Sequence, residues 1–213
     1  MTGAAGALGG GLAQAFDEAG ATVVGLDRVE PTGDRALAGV RYVALDLADD
    51  DAVARALDDV AAPWAVVHTV GGFAPAGPLA ELDPEELAAQ LTLNLTTSAL
   101  VLKHAVRRLR AEGGGRVVLT ASRAAFQTKG VGFSYSVSKL GVVHLVEMAA
   151  AEVAGTGTTV NAVSPTIIDT PANRRAMPEA HHDAWPTPAD LAPAYLFLAS
   201  PEAGRVNGSV LAV

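Results

Sequence analysis

Short runs of apolar, often β-branched residues alternate with longer segments rich in Ala and Leu along the whole chain. This alternation is typical of a parallel sheet whose strands are joined by helices that cover both faces. The sequence therefore predicts a doubly wound α/β fold of three layers. The candidate strands are residues 21–26, 41–45, 65–70, 116–121, 158–163 and 208–213.

Two of the predicted helices begin at clear local signals. Asp83 precedes Pro84, and Thr187 precedes Pro188, so a capping side chain is followed by proline at the first helical position. With no linker or repeat, we expect one domain over residues 1–213. The long polar insertion at 169–186 predicts a substrate lid at about 169–187. The predicted helices are residues 9–19, 50–60, 84–111, 135–154 and 188–199.

The composition excludes several kinds of site and partner. The chain has no cysteine, so it has neither disulfides nor a thiolate metal site. Its net charge of −8 argues against a nucleic-acid partner, which would require a basic face. We expect no membrane partner, because no run of about 18 apolar residues is present, and a cytoplasmic location. His181 and His182 lack a ligand set around them, so no metal is expected.

The opening stretch MTGAAGALGG has the pattern of a phosphate-binding loop. Gly3, Gly6 and Gly9 allow a tight turn and a close approach of backbone to a pyrophosphate. Leu8, directly before the predicted helix, is a further candidate for cofactor binding. Such a loop normally follows a buried strand, and none precedes it here. We expect that the first strand is missing from the given chain, that Met1 stands where a strand-ending valine belongs, and that the working protein starts upstream.

An acidic residue stands where a dinucleotide-binding Rossmann fold requires one. Asp27 directly follows the strand 21–26, in position to bind the ribose hydroxyls of NAD. A carboxylate there repels a 2′-phosphate, although the neighbouring Arg28 could accept one, so NAD is expected and NADP is the alternative. Asp46 could bind the adenine amino group or cap the next helix.

Four polar residues form a candidate catalytic set. Tyr135 and Lys139 are one helical turn apart, Ser122 ends the strand 116–121, and Asn94 lies in the preceding helix. With the glycine loop, these residues resemble the short-chain dehydrogenase/reductase family over essentially the whole chain. The resemblance implies an NAD(P)-dependent oxidoreductase that transfers a hydride between a nicotinamide and a carbonyl or alcohol substrate.

The resemblance also implies roles for these side chains. Tyr135 would exchange a proton with the substrate oxygen, with its pKa lowered by Lys139 and the oxidised nicotinamide. Ser122 would hold the substrate oxygen, and Asn94 would hold a water linking Lys139 to solvent, or else serve as a structural polar residue that bends its helix. Further cofactor contacts are implied for Leu47, Gly71, Pro165, Ile168 and Thr170. His68 is expected to be structural.

Part of the chain resembles a particular branch of that family. The segments GALG, GGF and DTPANRRAMPEAHHDAWPTP resemble the quinonoid dihydropteridine reductases, which gives an NADH-dependent pterin reductase as one alternative function. A non-catalytic dinucleotide sensor is another. The helices 84–111 and 135–154 predict a homodimer or homotetramer. The expected substrate pocket is lined by Phe73, Phe126, Phe133, Met177 and Trp185.

Overall fold

Six parallel strands form the centre of the protein. A computed structural model describes residues 1–73, 78–128 and 132–213. The strands are β1 (Val24–Asp27), β2 (Arg41–Ala44), β3 (Ala65–His68), β4 (Gly115–Thr120), β5 (Thr158–Ser164) and β6 (Val210–Ala212). They pair in two groups, β2-β1 and β3-β4-β5-β6, and every pairing is parallel.

The two groups of strands are joined by the N-terminal residues. Thr2 forms parallel bridges with Leu26 of β1 and His68 of β3. Its N–H donates to the carbonyl of Val67 at 2.9 Å, and the N–H of Leu26 donates to the carbonyl of Met1 at 2.7 Å. Thr2 therefore lies between β1 and β3 and forms a bridge with each strand.

Helices cover both faces of the sheet, as the alternation predicts. They are α1 (Ala7–Glu18), α2 (Asp50–Asp58), α3 (Pro84–Gln90), α4 (Thr97–Ala111), α5 (Phe133–Glu152), α6 (Pro171–Ala176) and α7 (Pro188–Ala199). On one face, α1 and α7 pack over a core that includes Leu12, Val118 and Tyr195. On the other face, α2, α4 and α5 pack over a larger core that includes Leu109, Val117 and Val146.

The predicted helix starts at Asp83 and Thr187 are confirmed. The Asp83 side chain accepts from the N–H of Glu85 at 2.9 Å. Thr187 forms a reciprocal capping box with Asp190. Local capping chemistry was sufficient to locate both ends.

Other element bounds differ from the sequence prediction. The single helix predicted over 84–111 is divided by a π-helical segment, Leu91–Thr96. The insertion at 169–186 contains a short helix, α6, that was not predicted. Strand β6 begins at Val210 rather than at Gly208, because Gly208 has φ +76°, which does not fit a strand. No helix in the described ranges is long and apolar enough to cross a membrane.

Candidate active site

The glycine loop presses closely against the start of α1. Gly3 has φ +75°, and a Cβ at Gly9 would lie only 2.0 Å from the carbonyl oxygen of Gly3. Gly6, the N-cap residue, provides no side-chain cap, and the first turn of α1 has no acidic residue. The helix therefore keeps its N-terminal amides and positive dipole end uncompensated, which fits an anionic phosphate group. Leu8 points into the core and is buried.

Asp27 lies beside this loop, as the sequence predicts. Its Oδ2 accepts from the N–H of Ala5 at 3.0 Å, and its Oδ1 accepts from the N–H of Arg28 at 2.7 Å. The carboxylate is thus held at the carboxyl end of β1, next to the loop, while Arg28 is exposed. This placement fits a ribose-binding acid.

A cavity of about 400 Å³ opens along the same loop. Its walls include residues 4–7 and 10–11, together with Arg35 from the turn after β1 and Arg175 from α6. The sequence analysis did not assign a role to either arginine, although Arg175 lies in the quoted segment DTPANRRAMPEAHHDAWPTP. The loop, the acid and the cavity together fit a nicotinamide dinucleotide.

Asp46 and Leu47 lie after β2. The Asp46 Oδ1 accepts from the N–H of Ala48 at 2.9 Å in a local turn. The alternative of Asp46 as a helix cap is wrong, because Asp49 caps α2 by accepting from Ala52. Leu47 is buried in the core, so its side chain serves packing.

Lys139 is buried on α5 and points toward the sheet. Its Nζ donates to the carbonyl oxygen of Thr120 at 2.9 Å, which fixes the ammonium at the carboxyl end of β4. Burial lowers the pKa of Lys139 to about 8. Gly71 lies against it, since a Cβ at Gly71 would be 2.8 Å from both Lys139 Nζ and Asn94 Oδ1. The absence of a side chain at Gly71 therefore leaves room for the lysine.

Tyr135 and Ser122 are brought together by α5 and the end of β4. Burial raises the pKa of Tyr135, and a hydrogen bond with Ser122 lowers it in part. In the chain alone the expected lowering by Lys139 is not found, because desolvation of the phenol dominates. Ser122 also accepts from the N–H of Ala124 at 3.2 Å, which orients its hydroxyl.

Asn94 lies in the π-helical segment and is fully buried. Its Oδ1 accepts from the N–H of Gly72 at 3.0 Å, and its Nδ2 lies 3.0 Å from Gln90 Oε1 and 3.1 Å from Ser138 Oγ. These contacts tie the helix to the loop after β3 and to α5. Sequence reasoning missed Gln90 and Ser138, although Gln90 lies one helical turn before Asn94.

The segment after β5 is held by its own side chains. Thr170 caps α6 by accepting from the N–H of Asn173 at 3.1 Å, and Asn173 donates to the Ile168 carbonyl at 2.8 Å. Arg174 forms two bonds to Asp169, at 2.5 and 2.8 Å. Ile168 and Thr170, for which the resemblance implies cofactor contacts, therefore lie on a stretch held by local hydrogen bonds. That stretch begins at the buried Pro165.

Of the five aromatic and Met residues expected around the substrate, Phe73 contacts the catalytic set. Its ring meets Tyr135 edge-on, with centroids 5.2 Å apart. Phe126 and Phe133 are exposed, at 58% and 39%. Met177 and Trp185 are half-buried in the insertion. There the His182 Nε2 lies 2.7 Å from the Met177 carbonyl oxygen, and the His182 ring contacts Trp185 at a tilt of 50°, with centroids 4.7 Å apart.

His68 occupies a structural position in β3. Its Nδ1 lies 2.7 Å from Thr2 Oγ1, and burial lowers its pKa to about 3, so the ring is neutral at pH 7. Among the residues that the structure describes, no group of three or more His, Asp or Glu side chains could hold a metal ion.

Comparison with known proteins establishes the family. The family model described as "Enoyl-(Acyl carrier protein) reductase" matches residues 3–213. The chain is 37% identical over 231 residues to the cis-4-hydroxycyclohexanecarboxylate dehydrogenase of Sinomonas cyclohexanicum, which covers 100% of this chain and 93% of the relative. The chain belongs to the short-chain dehydrogenase/reductase family.

Further relatives agree with this family. The D-threitol dehydrogenase of Mycolicibacterium smegmatis is 33% identical over 233 residues, with 100% of this chain and 89% of the relative covered. A solved structure from Beutenbergia cavernae has a TM-score of 0.89 at 29% identity and covers 99% of this chain and 92% of that one. It is described as a candidate NAD(P)-dependent gluconate 5-dehydrogenase with NADP bound at low occupancy.

This short-chain dehydrogenase/reductase is therefore an NAD(P)-dependent oxidoreductase that acts on alcohol or carbonyl substrates. The expected closer resemblance to the quinonoid dihydropteridine reductases is not supported, since the relatives named above are dehydrogenases of alcohols. The alternative of a non-catalytic sensor is not supported for the same reason.

Proposed function

We propose that the protein interconverts a secondary alcohol and its ketone, with Tyr135 as the group that exchanges a proton with the substrate oxygen. The observation that supports this is the convergence of Tyr135, Ser122 and Lys139 at the carboxyl end of β4. Phe73 packs on the Tyr135 ring and offers an apolar wall for the carbon skeleton. The two relatives that act on a hydroxycyclohexane acid and on a polyol favour a secondary alcohol.

The three proposed catalytic side chains have different tasks. Tyr135 gives its phenol proton to the carbonyl oxygen during reduction and takes it back during oxidation. Ser122 donates a hydrogen bond to the same oxygen and fixes its position. Lys139 binds the nicotinamide ribose and favours the phenolate by its positive charge. The bound nicotinamide supplies the hydride in reduction and accepts it in oxidation.

Asn94 holds the segments around these three side chains in place. Its contacts with Gly72, Gln90 and Ser138 hold the loop and helix on either side of Lys139. We assign to Asn94 a bound water through which Lys139 exchanges protons with solvent. This role joins the structural one that its position in the π-helical segment gives it.

The other candidate site residues bind the cofactor, which we propose to be NAD rather than NADP. The carboxylate of Asp27 sits where it would bind the adenosine ribose and repel a 2′-phosphate, and Arg28 is the group that would weaken this preference. We propose that Asp46 and Leu47 contact the adenine. The loop binds the phosphates at Gly3, Gly6, Leu8 and Gly9. The residues that contact the nicotinamide are Gly71, Pro165, Ile168 and Thr170.

We propose that residues 1–213 act as one catalytic domain in which the ordered segment 169–187 forms a lid over the substrate. We also propose a homodimer or homotetramer built on α4 and α5, since α5 exposes Val137, Leu140 and Met148 along one side. The net charge of −8 favours a partner other than nucleic acid. We place the enzyme in the cytoplasm, where nicotinamide dinucleotides are held.

A substrate panel tests the proposed function. Purified protein is assayed with NAD and NADP against cyclic hydroxy acids, tetritols and simple secondary alcohols, and with NADH and NADPH against the matching ketones. Quinonoid dihydropterin is included with NADH. We expect turnover of a secondary alcohol or its ketone, faster with NAD(H). Turnover of the pterin alone would contradict the proposal, as would the absence of any turnover.

A further inference from the structure

Two arginines far apart in the sequence line the cavity beside the glycine loop. Arg35 ends a short 3₁₀ turn, Gly33–Arg35, and Arg175 lies in the last turn of α6. Both share the cavity of about 400 Å³ with residues 4–7 of the loop. The cavity therefore has cationic side chains from two separate segments beside the uncapped N-terminus of α1.

The cavity carries two guanidinium groups. Among the described side chains, those of residues 1–33, 35–73, 78–128 and 132–213, the ion pairs at 4.0 Å or less include neither Arg35 nor Arg175. Arg174, by contrast, is held at two points by Asp169. In a chain of net charge −8, two guanidinium groups at one cavity indicate an anionic ligand.

The backbone around the cavity favours the same kind of ligand. The 12-residue helix α1 has no side-chain cap at Gly6 and no acidic residue in its first turn. Its free amides and dipole add positive potential to the cavity that the two arginines line. Guanidinium groups bind phosphate oxygens through two parallel hydrogen bonds, which suits them to this task better than lysine.

We propose that Arg35 and Arg175 together bind the diphosphate of the nicotinamide dinucleotide, an inference that rests on the proposed NAD(P)-dependent function. The diphosphate is favoured over a 2′-phosphate because Asp27 and Arg28, at the ribose position, do not line the cavity. NAD and NADP share the diphosphate, so the two arginines increase affinity for both. Because Arg175 belongs to the segment 169–187, its contact also ties the lid to the bound cofactor.

Binding measurements on two single variants test this inference. The affinities of NADH, NADPH and ADP-ribose are measured by calorimetry for the wild-type chain, Arg35→Ala and Arg175→Ala. Arg205→Ala removes an exposed arginine that does not line the cavity and is the matched control. We expect about tenfold weaker binding of all three ligands in each cavity variant, and no change in the control. The affinity should also become less dependent on salt.

The possible results separate this inference from the function itself. Equal affinities in wild type and both cavity variants would overturn the inference alone. A loss confined to NADPH would show that the arginines bind the 2′-phosphate, and would overturn the assignment to the diphosphate. A wild-type chain that binds no dinucleotide would overturn the proposed function together with the inference. Thermal melting of each variant checks that a loss of affinity does not come from unfolding. If Arg175→Lys keeps part of the affinity, the loss in Arg175→Ala reflects the missing charge.

Discussion

The Nζ of Lys139 donates a hydrogen bond of 2.9 Å to the carbonyl oxygen of Thr120, so helix α5 is attached to the end of strand β4 at the catalytic set. Thr120 is itself held from two sides, because its Oγ1 lies 2.8 Å from the His68 carbonyl and 2.8 Å from the Tyr195 hydroxyl. The ammonium thus takes its position from the buried sheet. The surroundings of the Lys139 ammonium therefore determine its protonation as well as its position.

Replacement of the Tyr135 hydroxyl should remove turnover and spare cofactor binding. In Tyr135→Phe the ring stays packed on Phe73, but no proton can be exchanged with the substrate oxygen. We expect kcat to fall by about 10²- to 10⁴-fold, with the affinity for NADH within twofold of wild type. Tyr42→Phe, in β2, is the control and should keep its activity. Substantial turnover by Tyr135→Phe would refute the proton-transfer role.

A methyl group at Gly71 should displace the catalytic lysine. The new Cβ would lie 2.8 Å from Lys139 Nζ and 2.8 Å from Asn94 Oδ1, closer than such contacts allow. We expect Gly71→Ala to lower kcat by about 10- to 100-fold, because a small displacement of a catalytic group costs that much. In Gly72→Ala the Cβ meets only the flexible end of Leu93, so a smaller loss is expected. Steady-state kinetics of both variants test this, and equal losses would argue against displacement of Lys139.

The stability of the protein without bound cofactor should rise with pH above neutrality. Lys139 releases its proton at about pH 8 in the folded chain, against an ordinary pKa of 10.5 when unfolded. Between these values the unfolded chain binds the additional proton, so stability increases with pH, by at most about 1.4 kcal/mol per pH unit. Urea denaturation from pH 7 to pH 10 measures this. The pH range ends at 10 because of Tyr135 and Tyr195. Their pKa values are raised in the folded chain, so above their ordinary value of 10 they make stability fall with pH.

Lys139→Met provides the comparison for that measurement. It removes the titrating group and leaves the buried apolar stem in place, so the rise between pH 8 and pH 10 should disappear. A rise of the same size in the variant would show that another group causes it.

The proposed assembly predicts the effect of a charge on α5. Leu140 is 49% exposed between Val137 and Met148, so a glutamate there would place a charge in the centre of the interface. We expect Leu140→Glu to shift the protein from dimer or tetramer to monomer in sedimentation equilibrium at micromolar concentration. Leu79→Glu, at a residue that is 62% exposed outside α5, should leave the assembly unchanged. A monomeric wild-type protein would contradict the proposal.

Several features of the fold were predictable because they depend on neighbours in the sequence. Asp83 and Thr187 cap the helices that follow them, as capping residues before a proline should. The division of the helix at Asn94 was not predictable in the same way. It depends on contacts of Asn94 with Gly72 in a loop and with Ser138 on another helix.

In the candidate site, too, some features depend on neighbours in the sequence and others on contacts between distant segments. The spacing of Tyr135 and Lys139 on one helix, with Ser122 at the end of a strand, predicts the catalytic set from the sequence. The pairing of Arg35 with Arg175 at one cavity depends on how two distant segments fold over the glycine loop. The expected lowering of the Tyr135 pKa includes the charge of the oxidised nicotinamide and stays a prediction. In the chain without a cofactor, burial raises the pKa of Tyr135, and this burial could not be read from the spacing of Tyr135 and Lys139.

The sequence by itself determined the layered α/β architecture, which follows from the periodicity of the apolar residues. It also determined the candidate catalytic side chains, whose motifs resemble the family to which the chain belongs. The tertiary structure alone decided which side chains share a cavity and how far Lys139 and Tyr135 are removed from water. Those properties depend on burial and on contacts between residues far apart in the chain, and it is desolvation that turns such placement into a shifted pKa or an affinity for phosphate.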